Sequence, residues 1–303
     1  MRCGVVVAGG SRDGVLASAQ RAEELGFDSL WVGDHVSFHI PILESLTLLS
    51  FIAAATERIR LGTAVFLVPL RQPVTIAKVT STLDLLSGGR LTLGVGVGGE
   101  FPPEFEASGV PVSERGARTD EAIGILRRLW SEDRVEHRGV HFDFGPISID
   151  PKPIQNGGPP VWVGGRRSPA LRRAGQLGDG YISHMASPDR YQTNLKAIQS
   201  HARAAGRPEQ EFGTAAFLFM LLDDCYESAL ERAAASLGHM YRTPFRDAAQ
   251  KYCLLGKPED CLEQLQRFAG AGCRHFILAP LADSAATIET AAREILPGIR
   301  DFC

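Results

Sequence analysis

Closely spaced cysteines are missing from this chain. Its six cysteines, Cys3, Cys225, Cys253, Cys261, Cys273 and Cys303, are scattered without a CxxC pair, whereas a disulfide scaffold or a structural zinc site needs them tightly spaced. They read as reduced thiols of a cytoplasmic protein. Missing too is any basic block: the formal net charge is -3 with both signs spread along the chain, so nucleic acid is excluded as a partner. No apolar run approaches the ~20 residues that span a bilayer, which excludes a membrane helix. The first apolar run meets Arg12 and Asp13 too soon for a signal peptide. There is no GxSxG, P-loop or kinase signature. His35 and His39 stand four apart, but "HVSFH" has no glutamate and runs into Pro41, so a helical zinc site does not fit. No lysine stands at a strand end; Lys78 and Lys152 fall on a helix and in an insertion, which speaks against Schiff-base chemistry.

What is present is apolar material for a large core, 44% of 303 residues. Nearly continuous apolar runs, the mark of parallel strands buried on both faces, occur at 3–8, 29–34, 61–68, 91–98, 161–165, 180–184, 213–222 and 275–280. Amphipathic stretches separate them. "GVLASAQRAEELG" places Leu16, Ala19, Ala22 and Leu25 on one stripe, and "PVTIAKVTSTLDLLSGG" opens with proline and closes with glycines. Eight such units predict a (β/α)8 TIM barrel with its active site on the loops after the strand C-termini; a doubly wound sheet is the competing architecture. No Pro- or Gly-rich linker divides the chain, so residues 1–303 read as one domain. Segments 99–114 and 136–160, both after the fourth strand, and 239–257, after the seventh, exceed a minimal unit. The second is read as a hairpin or a lid.

Three stretches carry chemistry. "GVGVGG", Gly94 to Gly99, satisfies GxGxxG, but Glu100, Phe101, Pro102 and Pro103 follow where a dinucleotide fold would open a helix. Glycines that admit close approach of a flat ligand are the preferred reading. "WVGGRRSPALRRAG" ends a strand in Gly164 and Gly165, then offers Arg166, Arg167, Ser168 as N-cap and Pro169 as first helical residue. That is either an anion site or a well-capped helix. Asp34 and His35 end the second strand, where a barrel places groups that exchange protons. His137, His141 and Asp143 read as a solvated hairpin.

Taken in order, "AEELGFDSLWVGDH", "RIRLGTAVFLVPLRQPVTIAKVTSTLDLLSGGRLTLGVGVGGE", "EFEASGVPVSERGARTDEAI" and "PVWVGGRRSPALRRAGQLGDGYI" resemble the luciferase-like family of flavin- or coenzyme F420-dependent barrel oxidoreductases. The resemblance implies a ring across the barrel mouth, with Ala64 and Val65, joined by a non-proline cis peptide, and Gly98 against it. It implies a cofactor phosphate at Gly164, Gly165, Arg166 and Ser168, with Arg71, Arg166 and Arg167 toward the anionic tail. Asp34 would contact the ring, His35 would take the substrate proton, and Glu100 would be the second acid-base group. Here the chain carries one glycine more than the usual "GVGTGE". The implied cofactor is coenzyme F420, preferred over FMN, with hydride transfer to or from a small organic substrate. An FMN-dependent monooxygenase, a non-catalytic flavin-binding barrel and an aldolase- or isomerase-like barrel are the alternatives, and a homodimer is expected.

Overall fold

The computed structural model describes residues 1–7, 10–207, 212–282 and 284–302. Ala8, the end of the first expected strand, and Cys303 lie outside them. Eight apolar stretches form parallel barrel strands: β1 (Arg2–Val6), β2 (Ser29–Val32), β3 (Arg60–Thr63, resuming as Phe66–Leu67), β4 (Leu91–Gly96), β5 (Val161–Gly164), β6 (Gly180–His184), β7 (Gly213–Leu222) and β8 (His275–Pro280). Each pairs with the next, and β8 closes on β1. The interruption in β3 is Ala64–Val65, joined by a cis peptide bond. The expected barrel is therefore the observed one.

The helices are α1 (Arg12–Glu24), α2 (Ser45–Ala53), α3 (Pro73–Leu86), α4 (Pro102–Ala107), α5 (Arg115–Ser131), α6 (Ser168–Leu177), α7 (Pro188–Ala204), α8 (Tyr226–Tyr241), α9 (Arg246–Tyr252), α10 (Pro258–Gly270), α11 (Ser284–Thr290) and α12 (Leu296–Arg300). On α1 the deepest stripe is Val15, Ala19 and Ala22, with Leu16 half-buried, one position from the expected register. Periodicity does not reveal α2, because "SLTLLSFIA" is apolar on most of its faces.

The interior near the strand N-termini is filled by side chains. Trp31 and Trp162 lie 5.7 Å apart, and each presents its ring to His275 edge-on at 5.6 Å. Ser29 Oγ accepts a hydrogen bond from Trp31 Nε1 at 2.7 Å and bonds His275 Nε2 at 2.7 Å. Glycine provides the room: a Cβ on Gly62 would stand 2.4 Å from the Trp31 ring, and one on Gly213 2.3 Å from Trp162. Burial pushes the His275 imidazole down to about 3, so it is neutral at pH 7.

The segment after α5 is a hairpin, strands 135–138 and 143–147, lying along α5 rather than over the mouth. Glu121 of α5 holds it, accepting hydrogen bonds from the backbone of His141 and Phe142 and pairing with His137 at 2.9 Å. Beyond the hairpin, Gln155 bonds the buried Asp84 and the Leu91 carbonyl. Since these stand at the end of α3 and the start of β4, the chain returns past the N-terminal end of the barrel. The lid reading is corrected on that ground.

Candidate active site

The mouth is organised first by Asp34. Its carboxylate is 3% exposed and receives both Arg71 guanidinium nitrogens, at 2.7 and 2.8 Å, the Ser45 hydroxyl at 3.0 Å and the Leu67 amide at 2.9 Å. A buried carboxylate persists as an anion when donors saturate it, and a bidentate guanidinium does that best. The Arg71 guanidinium also stacks over Phe66 at 4.3 Å. Asp34 thereby ties the end of β2 to the loop after β3. Arg71, expected to face an anionic tail, is committed to Asp34 instead.

His35 points its Nδ1 at Glu104, with both carboxylate oxygens at 3.1 Å. Glu104 is fully buried and also accepts the Val36 amide at 3.2 Å. When Nδ1–H is donated to a carboxylate, the other ring nitrogen keeps its lone pair; this is how a carboxylate orients a general base. His35 Nε2 has no partner among the described residues. Sequence reasoning missed Glu104 and named Glu100, which is exposed. The chain turns at Gly98 (φ +60) and Gly99 (φ +110), then Pro102 and Pro103 open α4 with Glu104 in its first turn. That Pro-Pro-Glu start was the available signal, since acids favour a helix N-terminus.

Glycines of "GVGVGG" make room for strand β3 and its bulge. A Cβ on Gly94 would stand 1.9 Å from the Thr63 carbonyl oxygen, and one on Gly96 2.3 Å from Val65 Cγ2. Across the barrel interior a Cβ on Gly164 would stand 2.6 Å from Val65 Cγ1. Strands β4 and β5 both carry glycine where the Val65 side chain lies against them. Ala64 and Val65 are half-buried beside Ile182 and Phe217 and form part of the floor of the mouth. Gly98 lies against Leu67 and Phe105.

The turn after β5 is held from beneath. Tyr181 donates to the Gly165 carbonyl at 2.7 Å and accepts from Asn194 at 2.9 Å. Arg167, with extended backbone, is the N-cap of α6; Ser168 is its first helical residue and makes no capping bond. That corrects the expected cap by one position and leaves the Ser168 hydroxyl and the first-turn amides without a capping side chain. Arg166 and Arg167 are exposed and form no ion pair among the described residues. By contrast Arg173, in the next turns of α6, is buried on Asp120 and the Gly116 carbonyl.

His184 ends β6, four strands round the barrel from His35, between the ring edges of Phe217 and Phe219 at 5.5 and 5.8 Å. Lost hydration and the Arg166 charge push it down to about 4, so it is uncharged at neutral pH.

Curated relatives align with most of the chain, and solved structures share its fold. It is 30% identical to an F420-dependent glucose-6-phosphate dehydrogenase of Beutenbergia cavernae, over 94% of this chain and 93% of the relative. To the enzyme of that name from Kineococcus radiotolerans it is 29% identical, over 93% and 91%. An F420-dependent secondary alcohol dehydrogenase in complex with an F420-acetone adduct superposes with a TM-score of 0.88 at 23% identity, covering 99% of both chains. Monooxygenase RslO1 from Streptomyces bottropensis superposes at 0.84 and 25% identity, covering 98% of this chain and 99% of that one. The family model described as luciferase-like monooxygenase matches residues 3–275, and the chain belongs to that family.

Proposed function

We propose that this protein is a coenzyme F420-dependent oxidoreductase that moves hydride between the cofactor and a small organic alcohol or ketone. One observation carries the reading: a carboxylate-oriented histidine and a turn with two unpaired arginines stand at the same end of one barrel. The relatives' dependence on F420 supports the choice of cofactor over FMN. The residues fit a phosphate: Gly164 and Gly165 carry no side chain to obstruct it, the Ser168 amide and hydroxyl have no partner among the described residues, and neither Arg166 nor Arg167 is ion-paired among them. Bound there, the deazaflavin supplies a ring that accepts or returns a hydride.

In this reading Ala64, Val65 and Gly98 back the ring, and Asp34 acts on it through the backbone and guanidinium it fixes. His35 Nε2 takes the hydroxyl proton as the carbinol C–H leaves with its electron pair, and the alcohol becomes a ketone. Glu104 stabilises the imidazolium that forms, and Glu100 on the exposed turn is the route for the proton to solvent. The His35–Glu104 couple argues for a catalyst over a non-catalytic flavin-binding barrel. Titration with F420 and with FMN tests the cofactor: F420 binds more tightly, and Arg166→Ala weakens it; tighter FMN binding would move the protein to the monooxygenase class. A homodimer through α2 and α3 belongs to the same reading, because Phe51, Val79 and Leu86 expose apolar surface there. Light scattering showing a monomer, unchanged in Leu86→Glu, would refute it.

A further inference from the structure

Three separate segments converge on one flank of His35. Phe38 comes from the loop after β2, Phe101 from the turn before α4, and Tyr241 from the end of α8. The Phe38 ring stacks on His35 at 4.0 Å and meets Phe101 at 6.1 Å and Tyr241 at 6.0 Å, both edge to face. His39 meets Phe101 at 4.7 Å, and Tyr241 stacks on Phe245 at 5.1 Å. All six of these rings are only half-buried, so each keeps surface for another apolar group.

Several charges near this flank are already paired, while Arg115, whose Nε lies against the turn at Gly99, forms no ion pair among the described residues. Asp34 holds Arg71, and Glu104 holds His35. Arg118 pairs with Glu114 and Arg173 with Asp120. The charged groups that act on Tyr241 are Glu100 and Arg166; burial, then Glu100, push its phenol up to about 12, so it is neutral. Arg166 and Arg167 are the cofactor's in the reading above, and Arg242, next to Tyr241, is exposed. A phosphate-bearing substrate would have to place its dianion against aromatic rings and beside Glu100. A flat apolar group would instead meet ring faces and edges in favourable geometry.

We infer that Phe38, His39, Phe101 and Tyr241 form the substrate chamber, and that the substrate is an uncharged secondary alcohol bearing a planar apolar substituent, or its ketone, and not a sugar phosphate. This rests on the F420 reading and narrows it.

The test uses the F420-loaded protein and compares 1-phenylethanol, 2-propanol and glucose 6-phosphate by loss of F420 absorbance, with acetophenone binding followed by calorimetry. F420 affinity is measured first, so that failure of the cofactor reading shows as absent F420 binding before any substrate is tried. The expected result is a kcat/KM for 1-phenylethanol about tenfold or more above either competitor. Phe101→Ala should remove most of that advantage and weaken acetophenone binding about tenfold, with F420 affinity kept. A higher kcat/KM for glucose 6-phosphate, with a KM that rises in Arg242→Ala, would overturn the inference by revealing an anion subsite beside Tyr241. Equal binding of acetophenone and acetone would overturn it as well. If F420 does not bind, acetophenone affinity for the protein lost in Phe101→Ala still supports the chamber, and its absence in the parent protein overturns it.

Discussion

The two ends of the barrel use the same residue types to opposite purposes. At the N-terminal end glycines at 62 and 213 exist so that Trp31 and Trp162 can fill the interior, and the histidine among them, His275, is buried and neutral. At the C-terminal end glycines at 96 and 164 exist so that Val65 can project, and the histidine there, His35, is half-buried and bonds the carboxylate of Glu104. A closed packing of aromatics gives stability; a carboxylate-paired histidine at the mouth gives chemistry in the F420 reading. The difference says that substitutions at the first end should be felt in folding and those at the second in turnover.

The sharpest break in that division is His35→Ala. Turnover of an identified substrate should fall about 10²- to 10⁴-fold with F420 affinity nearly unchanged, as expected of a general base. Unchanged turnover would remove His35 from the reaction. Acid should next act on the closed end. His275 binds a proton in the unfolded chain below its ordinary 6.5 but in the fold only near 3. Stability is therefore complete above about pH 6.5 and falls as pH drops, by on the order of 3 kcal/mol at about pH 4. Chemical denaturation across that range checks it, and His275→Asn should flatten the slope. Gly62→Ala should destabilise by about 1 to 3 kcal/mol through overpacking against Trp31, without altering F420 binding in the folded fraction; a neutral effect would mean that the tryptophan layer is loose. The smallest effect belongs to Glu104→Gln, with kcat lowered about tenfold while KM holds. A change in KM alone would make Glu104 merely structural.

The fold was legible because the barrel strands are nearly all-apolar runs separated by recognisable helix starts, so counting them was enough. The interior logic was less so. The glycines of "GVGVGG" were visible as glycines, but their partners, the Thr63 carbonyl and the Val65 side chain, lie on a neighbouring strand about thirty residues away in sequence. Glu104 escaped because its value depends on the turn at Gly98 and Gly99, which swings Glu100 outward and brings the next acid back to His35. Arg71 reads as facing a cofactor's anionic tail, since nothing in its own segment shows that Asp34 stands opposite it. Ser168 was misplaced by one residue because Arg167 already has the extended backbone of a cap. Pairings that need two loops to meet leave little trace in either loop alone.

Arg166 and Arg167 are neighbours in sequence and neither is ion-paired among the described residues. Two adjacent guanidiniums repel one another, and only water and dissolved ions soften that repulsion until an anion arrives. In the F420 reading the turn after β5 would draw the cofactor's anionic groups over a range set by salt. Ligand capture should be fast in dilute buffer and slow in concentrated buffer, and a cofactor with more negative charges should feel the difference more strongly than one with few.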